Sequence, residues 1–531
     1  MRTGPARGPG GPGWDISRRG LLRLGGLALA GGGSARPAPA WAAASFDVRA
    51  FGAAGNGVAL DTAAVNRAIA AAAAAGGGTV RFAAGSYRCH SIRLKSFVAL
   101  YLEPGATIRA APAGGYDAAE PTGPWARYQD FGHNHWHNSL IWGEGIQDAA
   151  ILGPGLIDGT GLSRGEVAEP GLAASTAPGA ADKAIALKSC RNIILRDISI
   201  FAAGHFGILA TGVDNLTIDD IKIDTNRDGM NIDCCRNVRV SNCSVNTPWD
   251  DGICLKSSFA LGKAVATENV TISDCYLTGY QLGSLLDGSF RPLPAPAQPT
   301  GRIKLGTESN GGFRNIAVSN CVFESCRGFA LETVDGGAAE DITVTGMTMR
   351  DIRNAPVFLR LGARMRGPAG GAVGTMRRVI ISGVTCEGRQ NAMPAIIAGL
   401  PGHPVEDVSL RDIYLLQKGG GAAALATVAP PEEASRYPEP GLFAPLPAQG
   451  LFVRHARDLE VRHLEIATVT PDARPFVWLG DVNGADVRSL RLPPGTTAPA
   501  FQLHDVRAFR DADSFPAADT AFDAVTRATL P

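Results

Sequence analysis

One ten-residue motif recurs along this chain: Arg191-Asn-Ile-Ile-Leu-Arg-Asp-Ile-Ser-Ile200, Asp214-Asn-Leu-Thr-Ile-Asp-Asp-Ile-Lys-Ile223 and Arg236-Asn-Val-Arg-Val-Ser-Asn-Cys-Ser-Val245. It returns at Glu268, Arg314, Glu340, Arg377, Glu406 and Arg457. Each copy has two short stretches of alternating apolar residues joined by a polar pair, which predicts a β-strand, a turn and a second β-strand. A unit this small cannot bury its apolar face alone, so the copies must stack as the coils of a solenoid. The repeat therefore predicts an all-β fold, a right-handed parallel β-helix.

A helix is predicted ahead of the repeats. Asp61 and Thr62 offer cap residues, Val65 and Ile69 provide an apolar face, and a run of alanines leads to the glycines at 76–78. These are the start, body and stop signals of a helix. Because the first coil of a solenoid exposes an apolar end, we expect this helix to cover it as an N-terminal cap.

The N-terminus has the features of an export signal. Ser17-Arg-Arg-Gly-Leu-Leu-Arg23 is a twin-arginine pattern, and a short apolar stretch and small residues that suit cleavage follow it. The sequence predicts a signal peptide over 1–44, a single β-helix domain over 45–531, and export by the twin-arginine route to the periplasm or the exterior. Because no later apolar stretch reaches membrane length, we expect no membrane contact in the mature form.

The overall charge argues against some partners. Lysine and arginine total 50, and so do aspartate and glutamate, which gives a formal net charge of zero. A neutral chain has no bulk attraction to nucleic acid or to a membrane surface. We therefore expect no binding to nucleic acid. Separately, we expect a monomer.

The cysteines follow the repeat. Cys243, Cys275, Cys321 and Cys386 hold the same place in four copies of the motif, out of ten cysteines in the chain. Exported chains often form disulfides. Residues at one repeat position stack on one another, however, so this placement predicts a ladder of small buried thiols rather than disulfides or a metal site.

Three aspartates fall one repeat apart. Asp250 and Asp251 lie in Thr247-Pro-Trp-Asp-Asp-Gly-Ile-Cys-Leu-Lys256, and Asp228 lies 22 residues before Asp250. Stacked strands are about 4.8 Å apart, so the three carboxyl groups are expected to meet. Crowded carboxyl groups cannot all ionise at one pH, and the difference in their pKa values separates an acid from a base. The arrangement predicts acid/base hydrolysis; the alternative role for Asp228 and Asp251 is turn capping.

The residues around these aspartates resemble a known family. Asn226-Arg-Asp-Gly229, Cys235-Arg-Asn-Val-Arg-Val-Ser-Asn-Cys243 and Asp250-Asp-Gly-Ile-Cys-Leu-Lys-Ser257 are similar to motifs of glycoside hydrolase family 28, the polygalacturonases and rhamnogalacturonan hydrolases of pectin breakdown. Phe46-Asp-Val-Arg-Ala-Phe-Gly-Ala-Ala-Gly-Asn-Gly57 resembles the N-terminal sequence that this family shares with pectate-lyase-like β-helices. The resemblance covers residues 46–415.

The resemblance implies roles for the three aspartates. Asp250 would protonate the glycosidic oxygen, while Asp228 and Asp251 would activate a water molecule on the opposite face of the sugar. The implied enzyme is an inverting glycoside hydrolase of pectic polysaccharide, galacturonan or rhamnogalacturonan, or of its oligosaccharides. In inverting enzymes the carboxyl groups are far enough apart to admit that water. No cofactor is implied.

Two positions depart from the family pattern. Thr300 occupies the position of a histidine in the family. The family's Arg-Ile-Lys motif, which binds a uronate carboxylate, corresponds to the last three residues of Phe329-Ala-Leu-Glu332, so that alanine replaces the arginine and glutamate replaces the lysine. A carboxylate-binding subsite has thus lost two cations and gained an anion. Rhamnogalacturonan-type members, which also lack the histidine, are the better match.

Six further residues are candidates for substrate binding. Arg302 and Lys304 alternate along one strand and would face one groove, where they could replace the lost cations; the alternative is a solvated surface pair. The remaining candidates are Asn226, Lys256, Glu332 and His205, for which a surface, turn or core role is the alternative. Asp287 and Arg360 are weaker candidates.

His133-Asn-His135-Trp-His137 has the residue types of a metal site. Alternating histidines on a strand share a face and can bind zinc. No carboxylate or cysteine lies close enough in sequence to complete such a site, so we expect a sugar-contacting loop and no metal.

Two other functions remain open: a polysaccharide lyase on the same fold, in which the aspartates could hold calcium, and a non-catalytic carbohydrate-binding β-helix.

Long insertions are expected to line the groove, and if they close one end they favour exo action. They span 112–138, 163–182, 288–301, 364–375 and 418–449.

Overall fold

The computed structural model describes residues 44–531, and stacked coils run through it from Ser45 to Leu530. Each complete coil contributes three strands, and each strand pairs in parallel with the equivalent strands of the coils before and after it. The fold is therefore all-β, a right-handed parallel β-helix, as the repeat predicts. The twin-arginine segment lies outside the described residues. Within residues 44–531, no helix combines the length and apolar character needed to cross a membrane.

The first face of the coil carries the candidate site. Its strands are Ile92–Arg93, Ile141–Glu144, Lys183–Lys188, Phe206–Thr211, Asp228–Asp233, Ile253–Ser257, Ile303–Ser309, Phe329–Thr333, Val357–Leu361 and Ala395–Ala398. The residues of these strands are buried almost without exception, since one side faces the core and covering loops shield the other.

The second face holds the first half of each ten-residue motif, and the third face holds the second half. Second-face strands are Ser45–Asp47, Gly78–Phe82, Val98–Leu102, Gln147–Leu152, Arg191–Arg196, Asp214–Asp219, Arg236–Ser241, Thr267–Ser273 and Phe313–Ser319. Third-face strands are Asn56–Leu60, Gly85–Cys89, Ala106–Ala110, Leu156–Asp158, Ser199–Phe201, Lys222–Asp224, Ser244–Asn246, Tyr276–Thr278 and Val322–Glu324.

In the later coils the strands run through the bends between faces. These long strands are Ala338–Arg350, Thr375–Gly388, Val405–Gly419, Leu451–Thr470, Val477–Arg488 and Phe501–Ala512. The final strand, Thr520–Leu530, reverses direction and pairs antiparallel with the strand before it. Short 3-10 turns lie at Val48–Phe51, Pro124–Tyr128, Ala423–Thr427 and Pro440–Phe443.

Charge alternates up the stack at the first position of the motif. In the strand register, Arg191 faces Asp214, Asp214 faces Arg236, and Arg236 faces Glu268. The alternation continues through the residues at positions 314, 340, 377, 406 and 457, where arginine and glutamate take turns. Each exposed pair contributes little alone. Because like charges directly opposite each other are unfavourable, the series as a whole selects one register.

The next motif position reinforces this register. Asn192, Asn215, Asn237, Asn269 and Asn315 all have left-handed backbone, which asparagine tolerates better than most residues. Their side-chain amides bond from coil to coil: Asn215 donates to Asn192 at 2.9 Å, and Asn315 donates to Asn269 at 2.8 Å. The ladder satisfies polar groups at the bend and holds the stacking distance.

The N-terminal helix spans Thr62–Ala74. Its buried face, which includes Val65 and Ile69, belongs to the main core, as the predicted cap requires. Asp61 precedes the helix but does not cap it with its side chain. Its carboxylate instead accepts hydrogen bonds from the backbone N–H groups of Ala54, at 2.7 Å, and Gly55, at 3.1 Å, and so ties the helix to the preceding loop.

All ten cysteines lie in the described part of the chain, and all are buried and unpaired. Cys243, Cys275 and Cys321 follow one another up the stack in the main core cluster, which confirms the predicted thiol ladder. Burial raises the pKa of Cys386 to about 12, and the nearby Glu387 acts in the same direction. Such thiols are poor nucleophiles at neutral pH because the thiolate is the reactive form.

We expect Ellman's reagent to find no reactive thiol in the native protein and ten in denaturant without reductant, because burial both blocks access and suppresses the thiolate. Far-ultraviolet circular dichroism on the same samples verifies that the unreactive state is folded. A count below ten in unreduced, denatured protein would contradict the free-thiol ladder.

Candidate active site

The three aspartates meet at the start of two neighbouring first-face strands. Asp228 opens Asp228–Asp233, and Asp250 and Asp251 lie just before Ile253–Ser257. These strands pair with Met230 opposite Ile253. One carboxylate oxygen of each aspartate lies within 4.8 Å of the other two. The structure thus brings together the three residues that the repeat interval predicts to be neighbours.

Asp251 is buried and held by two cations. Arg302 donates from Nε to Oδ1 at 2.7 Å, and Lys304 Nζ lies 3.2 Å from Oδ2. Burial by itself disfavours the carboxylate, but Lys304 and Arg302 outweigh it and hold the pKa of Asp251 well below its usual range. Asp251 is therefore ionised at neutral pH, with both oxygens engaged.

Asp228 has the opposite environment. Burial, and then the negative charge of Asp250, raise its pKa well above the usual range of an aspartate. The nearest ring nitrogen of His205 lies 4.0 Å from its carboxylate. Burial lowers the pKa of His205 well below its usual range, and Arg227 lowers it further, so this histidine is neutral and gives Asp228 no compensating charge. Two carboxyl groups of one site are thus driven to opposite protonation states.

Asp250 is the most exposed of the three. Its side chain is 26% exposed, and Oδ2 lies 3.1 Å from a guanidinium nitrogen of Arg227, which is itself 38% exposed. The other oxygen accepts the backbone N–H of Asp251 at 3.0 Å, which orients the pair. Asp250 is therefore the carboxyl group that an incoming ligand reaches first.

Arg302 and Lys304 are buried and do not form the solvated pair that the sequence left open. Lys304 lies opposite Cys254 and Ala330 on the neighbouring strands. Glu332 lies on the other side of both cations, with its oxygens 3.8 Å from Arg302 and 3.6 Å from Lys304. Two cations thus lie on the coil before positions 330 and 332, and they pair with Asp251 and Glu332.

Glu332 does not offer its carboxylate to a ligand. The residue is fully buried, and Oε2 accepts a hydrogen bond from the Thr307 hydroxyl at 2.8 Å. Burial raises the pKa of Glu332, against the opposing pull of Lys304 and Arg302. Its contacts fit a residue that holds the two cations in place rather than one that bonds sugar hydroxyls.

The 418–449 insertion covers this side of the site. The Tyr437 hydroxyl lies 2.9 Å from Lys304 Nζ. Glu439 lies 3.4 Å from Arg302 and accepts a hydrogen bond from Arg327 at 2.8 Å. Neither loop residue was predictable from the sequence, because neither belongs to the repeat and nothing in an insertion rich in glycine, alanine and proline marks which residue turns inward.

The 112–138 insertion covers the opposite ends of the same strands. His133 bonds to Glu308, and the backbone N–H of Asp130 donates to Glu308 at 2.8 Å. Glu308 also lies 3.5 Å from Lys256 Nζ, so that lysine is buried and paired rather than exposed. Asp130 then pairs with Arg366 of a third insertion, which joins the loops into a wall beside the groove. Exo action stays a prediction.

The remaining candidates lie apart from the aspartates or have other partners. Asn226 is half-buried beside Arg227 and makes no side-chain hydrogen bond within residues 44–531. Asp287 lies in an exposed turn with Arg291, and Arg360 is buried and donates to the carbonyls of Gly399 and Glu432. These last two positions support loops rather than the site.

The three histidines of the 133–137 segment do not share a ligand position. His133 bonds to Glu308, the Nδ1 atom of His135 lies 3.0 Å from Lys183 Nζ, and a ring nitrogen of His137 lies 2.7 Å from Glu144. The segment forms a turn and not a strand, so the histidines do not share a face. His137 instead lies with Glu120 and Glu144, whose ligand atoms are all within 4.8 Å of one another, although the sequence spacing predicted no carboxylate near these histidines.

Comparison with known proteins agrees with this architecture. Residues 175–364 match a model described as a right handed beta helix region, and residues 45–139 match one described as rhamnogalacturonase A/epimerase, pectate lyase-like. A probable polygalacturonase from Vitis vinifera is 25% identical over 319 residues, which cover 57% of this chain and 60% of that protein. This chain therefore spans less than two thirds of the length of that relative.

Two solved structures share the fold at low identity. An exopolygalacturonase from Thermotoga maritima superposes with a TM-score of 0.53 at 15% identity, over 92% of this chain and 95% of its own. A family 28 exopolygalacturonase from Yersinia enterocolitica gives 0.51 at 17% identity, over 87% and 78%. The chain is a right-handed parallel β-helix that resembles the polygalacturonases.

A third solved structure also shares the fold. The pre-mature bacteriophage phi29 gene product 12 superposes with a TM-score of 0.50 at 13% identity, over 90% of this chain and 58% of its own. Function must therefore be argued from the side chains of the site.

We expect Asp228→Asn to raise the melting temperature at pH 7. The folded state binds this proton more tightly than the unfolded chain does, so wild-type stability falls as pH rises from the unfolded pKa, about 3.9, through the raised folded pKa. The uncharged amide of Asp228→Asn avoids the loss of stability that comes from ionising a buried carboxyl group. Below about pH 4, where Asp228 is protonated in both the folded and the unfolded state, the variant should no longer be more stable than the wild type. Calorimetry across this pH range measures the difference.

The matched control for this experiment is Asp523→Asn, which makes the same change at an exposed position. The control should leave the melting temperature within the scatter of replicates at every pH. An Asp228→Asn variant that is destabilised at pH 7 would contradict the protonated state of Asp228.

Proposed function

We propose that this protein is an exported glycoside hydrolase that cleaves O-glycosidic bonds in pectic polysaccharide or its oligosaccharides, by acid/base catalysis with aspartates. One observation carries the proposal. A fully ionised carboxylate, Asp251, lies within 4.8 Å of a carboxyl group whose pKa is strongly raised, Asp228, next to a more exposed third carboxyl group, Asp250. Carboxyl pairs whose pKa values are driven apart are the acid and base of glycoside hydrolysis.

Asp250 is the proposed proton donor. Asp228 holds a proton, because burial and the negative charge of the neighbouring Asp250 raise its pKa, and it passes this proton to Asp250. Asp250 is the exposed member of that pair and so delivers the proton to the glycosidic oxygen as the C–O bond breaks. The raised pKa of Asp228 makes it a store for this proton, which differs from the base role that the family resemblance implies.

Asp251 is the proposed base. Water attacks the anomeric carbon, and its proton passes to the Asp251 carboxylate, so the products are a free reducing end and a free hydroxyl group. Arg302 and Lys304 hold Asp251 ionised and fix its position. Attack by Asp251 itself on the sugar would break one of these ion pairs, which favours water as the nucleophile.

Inversion at the anomeric carbon is the proposed stereochemical course. The closest carboxylate oxygens lie within 4.8 Å, less than the separation of about 6.5–9.5 Å between carboxyl groups that usually accompanies inversion. Because 4.8 Å is measured between single oxygens, whereas the usual range refers to whole carboxyl groups, this distance is compatible with the expected spacing. The support for inversion is the resemblance together with the engagement of both Asp251 oxygens.

A lyase is the weaker candidate. A calcium-dependent lyase needs free carboxylate oxygens to hold the ion. Both oxygens of Asp251 face Arg302 and Lys304 instead, and a cation bound there would have to displace them. A non-catalytic binding protein has no need of neighbouring carboxyl groups with opposed pKa values, so the site also argues against that alternative. Export, periplasmic or extracellular location and a monomeric state remain part of the proposal.

We expect Asp250→Asn to lower kcat by roughly 100-fold or more, because a positioned general acid contributes about 10² to 10⁴ in rate. The assay counts new reducing ends on homogalacturonan, rhamnogalacturonan and α-L-rhamnosyl oligosaccharides. The exposed Asp287→Asn serves as a matched control with unchanged kcat. Product that absorbs in the ultraviolet and activity lost with EDTA would identify a lyase; binding without turnover would identify a binding protein.

We expect proton NMR of the first product to show the anomeric configuration opposite to that of the substrate linkage. A water molecule attacks from the face opposite the leaving group when no covalent intermediate forms. The spectra must be recorded before the product mutarotates, with enough enzyme to release product within that time. They then distinguish inversion from retention. Product of unchanged configuration would show that Asp251 acts as a nucleophile.

A further inference from the structure

The basic side chains beside the aspartates are already committed to carboxylates. Arg302 and Lys304 contact Asp251, Arg227 contacts Asp250, Lys256 contacts Glu308, and Arg327 contacts Glu439. Within residues 44–531, these five are the cations that the structure places around the trio. Each has an acidic partner within 4.0 Å.

The two cations nearest Asp251 are also out of reach. The Arg302 side chain is 3% exposed and the Lys304 side chain 1% exposed. Each lies between Asp251 on one side and Glu332 on the other. A ligand carboxylate would have to displace a buried anion to pair with either of them, and removing one partner of a buried ion pair is costly.

The charges on this side of the trio are balanced without a ligand. Arg302, Lys304 and Arg327 face Asp251, Glu332 and Glu439, three positive groups against three negative ones. A uronate seated here would add a fourth negative charge to a partly desolvated cluster, where like charges weaken binding strongly.

An exposed aromatic ring, in contrast, is available at the site. Tyr437 is 45% exposed and contacts Lys304, and Trp249, which directly precedes Asp250 in the chain, is 49% exposed. Aromatic rings with a free face pack against the apolar side of a sugar ring, and the Tyr437 hydroxyl can also bond to it. The surface offered to a ligand is therefore apolar and hydrogen-bonding rather than cationic.

We propose that the sugar seated on the Asp251 side of the cleaved bond carries no free carboxylate. It is an uncharged sugar, or a uronate masked as its methyl ester. This inference rests on the proposed hydrolase function and names the substrate class for it. Glu332 and Glu439 are the specificity residues. Their ion pairs with Arg302, Lys304 and Arg327 engage the cations that could otherwise bind a uronate carboxylate.

The test compares one oligogalacturonate series in its methyl-esterified and de-esterified forms, which differ in charge at the carboxyl groups. We expect kcat/KM to be at least about tenfold higher for the ester, equivalent to about 1.4 kcal/mol. Oligosaccharides with a terminal α-L-rhamnosyl group provide an uncharged sugar of different shape. A higher kcat/KM for these than for the de-esterified series would also support the uncharged-sugar inference.

Glu439→Gln is the informative variant, because Glu439 is 34% exposed and its loss should not unfold the chain. It frees Arg327 and part of Arg302, so the preference for the ester should fall by roughly tenfold. Glu332→Gln should act in the same direction if it folds. Glu387→Gln, exposed on the third face and paired only with Arg389, is the matched control with an unchanged preference.

The outcomes separate the two proposals. A wild-type enzyme that prefers the de-esterified series, or a preference that Glu439→Gln leaves unchanged, would overturn the uncharged-sugar inference while hydrolysis itself stands. Failure of the wild type to release reducing ends from any of these substrates would instead reject the hydrolase function, and the inference with it.

Discussion

In-register parallel stacking is the constraint on which the rest of this structure depends. Side chains alternate between the two sides of a strand, so a slip of one residue in one coil would turn its core residues outward. The alternating charges from Arg191 to Arg457 and the asparagine ladder at the next position favour one register. The same register places Asp228 beside Asp250 and Asp251, so the reactive cluster follows from how the coils stack.

Burial then gives these aspartates different properties. Three adjacent carboxyl groups with no compensating charge would all resist ionisation. Arg302 and Lys304 come from the next coil and neutralise one member, Asp251. Asp228 has no such direct ion pair, and burial and the charge of Asp250 outweigh the positive charges of Lys256 and Arg227. The site is thus polarised along the solenoid axis, from a protonated group on one coil to an ion-paired group on the next coil. Preorganised charge of this kind costs nothing to rearrange when a reaction begins.

The repeat predicts most of the architecture because every copy must solve the same packing problem. Strand, turn and core positions can be read from the apolar alternation, and the 22-residue interval brings Asp228 to Asp250. The alternation of Arg302 and Lys304 correctly predicts that both face one side. Their burial was not predictable, because it depends on Glu332 and on Tyr437 and Glu439, which reach the site from an insertion more than 100 residues later. Loop residues carry no periodic signal, so sequence spacing cannot place them. The His133–His137 segment shows the same limit: its histidines alternate in sequence, but the segment is a turn, and sequence spacing did not show that Glu120 and Glu144 lie beside His137.

The reversed final strand has a consequence for the behaviour of the molecule in concentrated solution. If the last coil ended in an open parallel edge, its unpaired backbone N–H and C=O groups would be arranged as in every coil before it. Another chain could then pair with this edge and continue the stack. Thr520–Leu530 runs against the coil direction and covers the first and second faces of the last coil, but adds no third-face strand. Its outer edge therefore no longer repeats the three-sided template. The reversal limits fibre-like, end-to-end growth at this end of the solenoid, much as the helix Thr62–Ala74 covers the other.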